Sequence, residues 1–201
     1  MQKEGIIKYK CKQIYADIIQ HKQIADINLI RTFLFDLRLL GVDYTESSDG
    51  IGFGNISKRL VADEFIISGS GTGISRILSA KDYSIVEECN IVKNFVSCSG
   101  FVAASSESLS HFAIYQQLKN INYVIHIHNF EIWNNHLNKL PTTPQNAEYG
   151  TPEMALSIQE CISNSENSEE NIIVMGGHFA GILFYGNNLN DIYKTITRVI
   201  A

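Results

Sequence analysis

In the stretch Tyr123-Val124-Ile125-His126-Ile127-His128, histidines alternate with isoleucines. On a strand, side chains two apart share a face, so His126 and His128 project together while Ile125 and Ile127 turn to the opposite side. Neutral imidazole nitrogens suit zinc and neighbouring divalent ions, so this pair is half of a candidate metal site. By itself an HxH pair is also what a polar strand face produces. A third imidazole is offered by Met175-Gly176-Gly177-His178, where an apolar strand ends in two glycines. Glycines allow close backbone approach, and a histidine just beyond a strand end is placed to face a cleft, although a solvent-facing loop histidine looks the same. His111, on a helix face, and His21 and His136, in polar surroundings, suit the role less well.

An acid and an anion cradle can be read nearby. In Ala103-Ala104-Ser105-Ser106-Glu107 two serines precede a helix, whose free N–H groups and dipole favour an anion. Glu107 falls in the first turn, where an acid also has a purely capping explanation. Gly52-Phe53-Gly54-Asn55-Ile56-Ser57 and Ser68-Gly69-Ser70-Gly71-Thr72-Gly73 offer backbone amides and hydroxyls of the kind that hold phosphate, or simply tight turns. Neither is a Walker loop, since no GKS or GKT follows, and neither opens a helix as a dinucleotide fingerprint must.

The elements that position these residues follow from periodicity. Apolar residues at helical spacing predict a helix over 24–40, with Gly41 as its stop. Strands and tight turns are expected over 50–60 and 64–67, and a serine-capped helix over 105–118. A strand over 122–128 is followed by a helix that Thr151-Pro152-Glu153 opens and that runs to about 163. A polar, acidic turn at 163–171 leads to strands at 172–175 and 181–185 and a last helix over 189–200. Interspersed strands and helices predict an α/β protein with helices covering a sheet.

With 201 residues the chain suits one domain, 1–201, able to bury a full core. A net charge of −5 supplies no basic field for nucleic acid. The four lysines within residues 1–12 flank no apolar core of signal-peptide length, and no stretch approaches the roughly 20 apolar residues that span a bilayer. A cytoplasmic protein with no membrane partner is therefore expected. Cys11, Cys89, Cys98 and Cys161 form no CxxC pair and read as ordinary reduced thiols.

Taken in order, GNIS (54–57), ISGSG (67–71), KDY (81–83), SSE (105–107) with HFAIY (111–115), HIH (126–128), YGTPEM (149–154) and GGH (176–178) resemble the class II aldolase/adducin family along nearly the whole chain. The resemblance implies a three-layer α/β/α sandwich with a largely antiparallel central sheet, assembled as a homotetramer. It implies that His126, His128 and His178 bind Zn2+ or another divalent metal and that Glu107 is the catalytic acid/base. It assigns Asn55, Ser70, Gly71, Ser105 and Ser106 to the substrate phosphate. The implied function is an aldolase-type lyase that cleaves a small sugar phosphate, a ketose phosphate, by a retro-aldol reaction through a metal-stabilised enediolate. The same scaffold supports 4-epimerases and methylthioribulose-phosphate dehydratases, and adducin-like binding modules that lack the full metal set. The stretch from His128 to Tyr149 is shorter than in fuculose-phosphate aldolases, where it carries the tyrosine that protonates the leaving aldehyde. No second proton donor is therefore assigned.

Overall fold

The computed structural model describes residues 5–43, 50–164 and 171–200. Its elements run β1 (Lys10–Ile14), α1 (His21–Asp36), β2 (Gly41–Asp43), β3 (Ile51–Phe53), β4 (Asn55–Arg59), β5 (Phe65–Ser68), β6 (Tyr83–Asn90) and β7 (Phe95–Gly100). They continue with α2 (Ser108–Gln117), β8 (Tyr123–His128), α3 (Phe130–His136), α4 (Pro152–Asn164), β9 (Ile172–Val174), β10 (Gly181–Gly186) and α5 (Leu189–Ile200). Most of the polar turn expected at 163–171 lies outside the described residues.

Eight strands form one sheet in the order β1-β7-β6-β5-β4-β8-β10-β9, and β2 with β3 forms a separate hairpin. Pairing is antiparallel throughout the large sheet except for β1 on β7, which is parallel. Alternation divides the core in two. Val124, Leu183 and Tyr185 pack with Phe112, Ala113, Met154 and Ile158 of α2 and α4 on one face. Ile125, Ile127, Ile182 and Phe184 pack with Ile24, Ile27, Leu34, Ile192 and Ile196 of α1 and α5 on the other. The result is the expected three-layer α/β/α sandwich with a largely antiparallel sheet. Reversing the faces of β8 would expose Ile125 and Ile127, at about 2 kcal/mol each. The imidazoles of His126 and His128 are thereby held on the α2–α4 side.

Helix α1 ends earlier than its apolar spacing predicts. Arg38 adopts φ 58°, and the N–H groups of Leu39 and Leu40 both return to the carbonyl of Leu34. Leu39 and Leu40 are fully buried, so they continue the apolar pattern of the helix without being helical. Gly41 opens β2 instead of stopping the helix. Arg31, on the same helix, is completely buried and donates to the carbonyls of Thr72, Gly73 and Ser75. Those bonds give the turn's carbonyls a buried donor, and they clamp the second glycine-rich segment against α1.

Candidate metal centre

Strand β8 lies between β4 and β10, with His126 opposite Asn55 on one side and Leu183 on the other. His178 stands in the tight turn between β9 and β10, where its N–H donates to the carbonyl of Met175 and its carbonyl accepts from Gly181. That turn needs its glycines: a Cβ on Gly177 would overlap the carbonyl of Ala147. At Gly181 a Cβ would sit 3.1 Å from the rings of both His126 and His178. Tyr149, fully buried, stacks on His178 with ring centroids 4.7 Å apart, and the Lys8 ammonium lies 4.0 Å over the far ring. Tyr149, which the sequence marks only as part of YGTPEM, therefore orients the third imidazole.

The three histidines converge: one ligand atom from each of His126, His128 and His178 lies within 4.8 Å of the others. Nδ1 of His126 sits 3.2 Å from the carbonyl oxygen of Ile182. A carbonyl only accepts, so Nδ1 carries the proton and Nε2 of the neutral ring is a bare lone pair. That lone pair points to Nε2 of His128 at 2.9 Å and to Oε2 of Glu107 at 3.1 Å. Oε1 of Glu107 lies 3.1 Å from Nδ1 of His178. Burial pushes His126 well below its ordinary pKa; Glu107 acts in the opposite sense, and the other imidazoles add to the lowering. Burial also lowers His128, with His178 adding to it. Neutral imidazole donors beside a buried carboxylate match what a divalent cation requires.

Glu107 is found one position before the helix expected to contain it. It occupies the N-cap of α2, its N–H donates to the Ser105 hydroxyl oxygen at 3.3 Å, and its side chain turns to the histidines and not to the helix. His111, one turn along α2, is fully buried and bonds through Nδ1 to the Ser57 hydroxyl at 2.7 Å, which in turn meets the Tyr115 hydroxyl at 2.8 Å. Burial lowers its pKa to about 4, opposed by the nearby Glu107. The i, i+4 spacing of Glu107 and His111 is visible in the sequence; its link to Ser57 is not.

Asn55, Ser70, Gly71, Ser105 and Ser106 line one recess together with Glu107 and His126. Asn55 is buried, and its Oδ1 has no partner among the described residues. The recess measures about 20 Å³, room for one water, and within its lining the Ser70 hydroxyl donates to the carbonyl of Gly5 at 2.8 Å. A second cavity of about 540 Å³ opens on the other side of the imidazoles, with His128 and His178 in its lining.

Residues 44–133 match the family model described as Class II Aldolase and Adducin N-terminal domain. His178 lies beyond that segment and joins it only through the fold. Among solved structures, the chain is similar to an L-fuculose 1-phosphate aldolase (19% identity, TM-score 0.65, covering 90% of this chain and 82% of that one). It is also similar to a sugar-phosphate aldolase from Thermotoga maritima (13% identity, TM-score 0.66, 89% and 90% covered). A third is the L-fuculose 1-phosphate aldolase from Glaciozyma antarctica PI12 (14% identity, TM-score 0.53, 89% and 72% covered). No curated protein matches the chain. At identities this low the likeness shows the fold alone.

Proposed function

We propose that this chain, whose residues 44–133 match the class II aldolase/adducin family model, is a metal-dependent lyase that cleaves a ketose phosphate by a retro-aldol reaction. The observation that carries the reading is the convergence of three imidazoles with the Glu107 carboxylate 3.1 Å from two of them. A chain serving only as a binding module has no use for such a set, whose buried lone pairs face one another at a cost in stability.

His126, His128 and His178 would hold the ion, zinc by donor type, and leave Glu107 beside it. When bound, the ion supplies a Lewis acid that takes up negative charge on a substrate carbonyl oxygen. The residues of the chain do the rest. Glu107 holds the proton that is exchanged at the carbon losing the aldehyde, as the C–C bond breaks and its electron pair moves toward the carbonyl. Asn55, Ser70, Gly71, Ser105 and Ser106 bind the phosphate and so orient that bond. Tyr149 keeps the His178 ring in place from behind.

A 4-epimerase would use the same cleavage and re-form the bond, and a dehydratase would expel water with the same acid/base. The ordered test is metal analysis of the purified protein followed by a screen of ketose 1- and 5-phosphates. Aldehyde release, epimer formation and water loss are scored separately. Stoichiometric divalent metal with aldehyde release is the expected result; epimers or water without aldehyde would move the assignment to the sister reactions. A protein without metal and without turnover would be a binding module. No helix among the described residues is long and apolar enough to cross a membrane. A homotetramer working in the cytoplasm on this small sugar phosphate completes the proposal.

A further inference from the structure

The cavity of about 540 Å³ beside His128 and His178 has walls unlike those of the anion recess. Phe53, Phe130, Trp133 and Phe179 are all in its lining. Phe130 and Phe179 stack with centroids 5.5 Å apart, Trp133 meets Phe179 at 5.5 Å, and Phe53 meets the His128 ring at 5.5 Å. Trp133 is held in place by its indole N–H, which donates to the carbonyl of Met175 at 2.9 Å and ties α3 to the turn carrying His178. Phe130 and Phe179 keep 53% and 58% of their surface exposed, which for adjacent aromatics marks a surface awaiting an apolar occupant.

No lysine or arginine lines this cavity among the described residues. The lyase reading puts the substrate phosphate at the recess of Asn55 and Ser70, on the His126 side, where backbone amides and hydroxyls line the wall. The other end of the substrate would then enter the aromatic cavity, which opens on the far side of the imidazoles. Apart from the metal-site imidazoles of His128 and His178 and the Trp133 indole N–H, which is already bonded to Met175, its polar side chains are Asp43, Asn129 and Gln145, too few to meet a hydroxyl on every carbon of a sugar tail, and each buried hydroxyl without a partner weakens binding. The size falls within the range of small-molecule pockets.

We propose that this cavity receives the end of the substrate remote from the phosphate, and that this end is an aromatic ring or branched alkyl chain instead of a polyhydroxylated one. The proposal rests on the lyase reading above for the direction in which the substrate lies. Trp133 is the only tryptophan in the chain, so its emission reports directly on the cavity.

The test uses the zinc-loaded full chain and two aldol adducts of dihydroxyacetone phosphate, one with phenylacetaldehyde and one with glyceraldehyde. Binding is followed by Trp133 emission, and aldehyde release is assayed separately. The phenylacetaldehyde adduct is expected to bind at least about tenfold more tightly and to shift the emission, and Phe179→Ser or Phe130→Ser should remove most of that advantage. Equal or tighter binding of the glyceraldehyde adduct, binding that leaves the emission unchanged, or no binding of either overturns the proposal. So does an emission blind to both adducts in a protein that dissociates on Phe179→Ser, which would mean that a second copy of the chain fills the cavity. Tight, emission-shifting binding without aldehyde release supports the cavity assignment and sinks the lyase reading alone.

Discussion

Oε2 of Glu107 lies 3.1 Å from Nε2 of His126, with both side chains at most 2% exposed. Because the Nδ1 proton of His126 is engaged by the carbonyl of Ile182, this contact sets a carboxylate oxygen against a lone pair. Replacing the carboxylate by an amide keeps the shape and supplies an N–H, while removing the group that can carry a proton. Glu107→Gln should bind metal in the same amount as the parent, measured by plasma emission. Its turnover should fall by about a hundred- to ten-thousand-fold. Turnover near the parent level would take Glu107 out of the acid/base role.

Gly181 makes room for two ligands at once. A methyl group there would press on the His126 and His178 rings from 3.1 Å, so the imidazoles must spread by a few tenths of an ångström. Gly181→Ala is expected to weaken zinc binding by about ten- to a hundredfold in competition with a chromophoric chelator, comparable to losing a supporting contact of a ligand. Unchanged affinity would show that the two rings do not act on one ion.

His111 makes the metal-free fold sensitive to acid. Its pKa is about 4 when folded and 6.5 ordinarily, so between those values the unfolded chain binds more protons. The stability tied to its neutral state is complete above about pH 6.5 and is lost as the pH falls toward 4, by about 3 kcal/mol at most. Urea titrations in the presence of chelator should show a steeper loss from pH 7 to pH 4.5 for the parent than for His111→Gln. Parallel losses would assign the acid sensitivity to other groups.

The Ser70 hydroxyl is engaged by the carbonyl of Gly5, and an anion entering the recess has to displace that carbonyl. Tyr9 anchors the same segment independently, through its hydroxyl on the carbonyl of Ala104 at 2.7 Å. A chain beginning at Ile7 should therefore keep the fold and bind inorganic phosphate roughly three- to tenfold more tightly by calorimetry. Equal affinity would mean that the anion is held without Ser70.

Much of the centre could be read locally. The alternation in residues 123–128 determines that His126 and His128 share a face, because two isoleucines must enter the opposite core. The glycines before His178 announce a close approach, and two serines mark the start of a helix beside Glu107. The ordered motifs extend that reading to a sandwich with a largely antiparallel sheet. Local pattern misjudged the end of α1, where Leu39 and Leu40 carry apolar spacing past the last helical residue, and it passed over β1, β2, β6, β7 and α3.

What periodicity could not contain is convergence. Glu107, His126 and His178 come from a helix cap, a strand and a turn, and their meeting depends on the register of β8 against β4 and β10. The stacking of Tyr149 on His178, the hold of Gly5 on Ser70 and the aromatic wall around Trp133 are likewise contacts between segments distant in the chain. A side chain's type and local spacing determine which face it takes. Only the packing of layers decides what stands across from it.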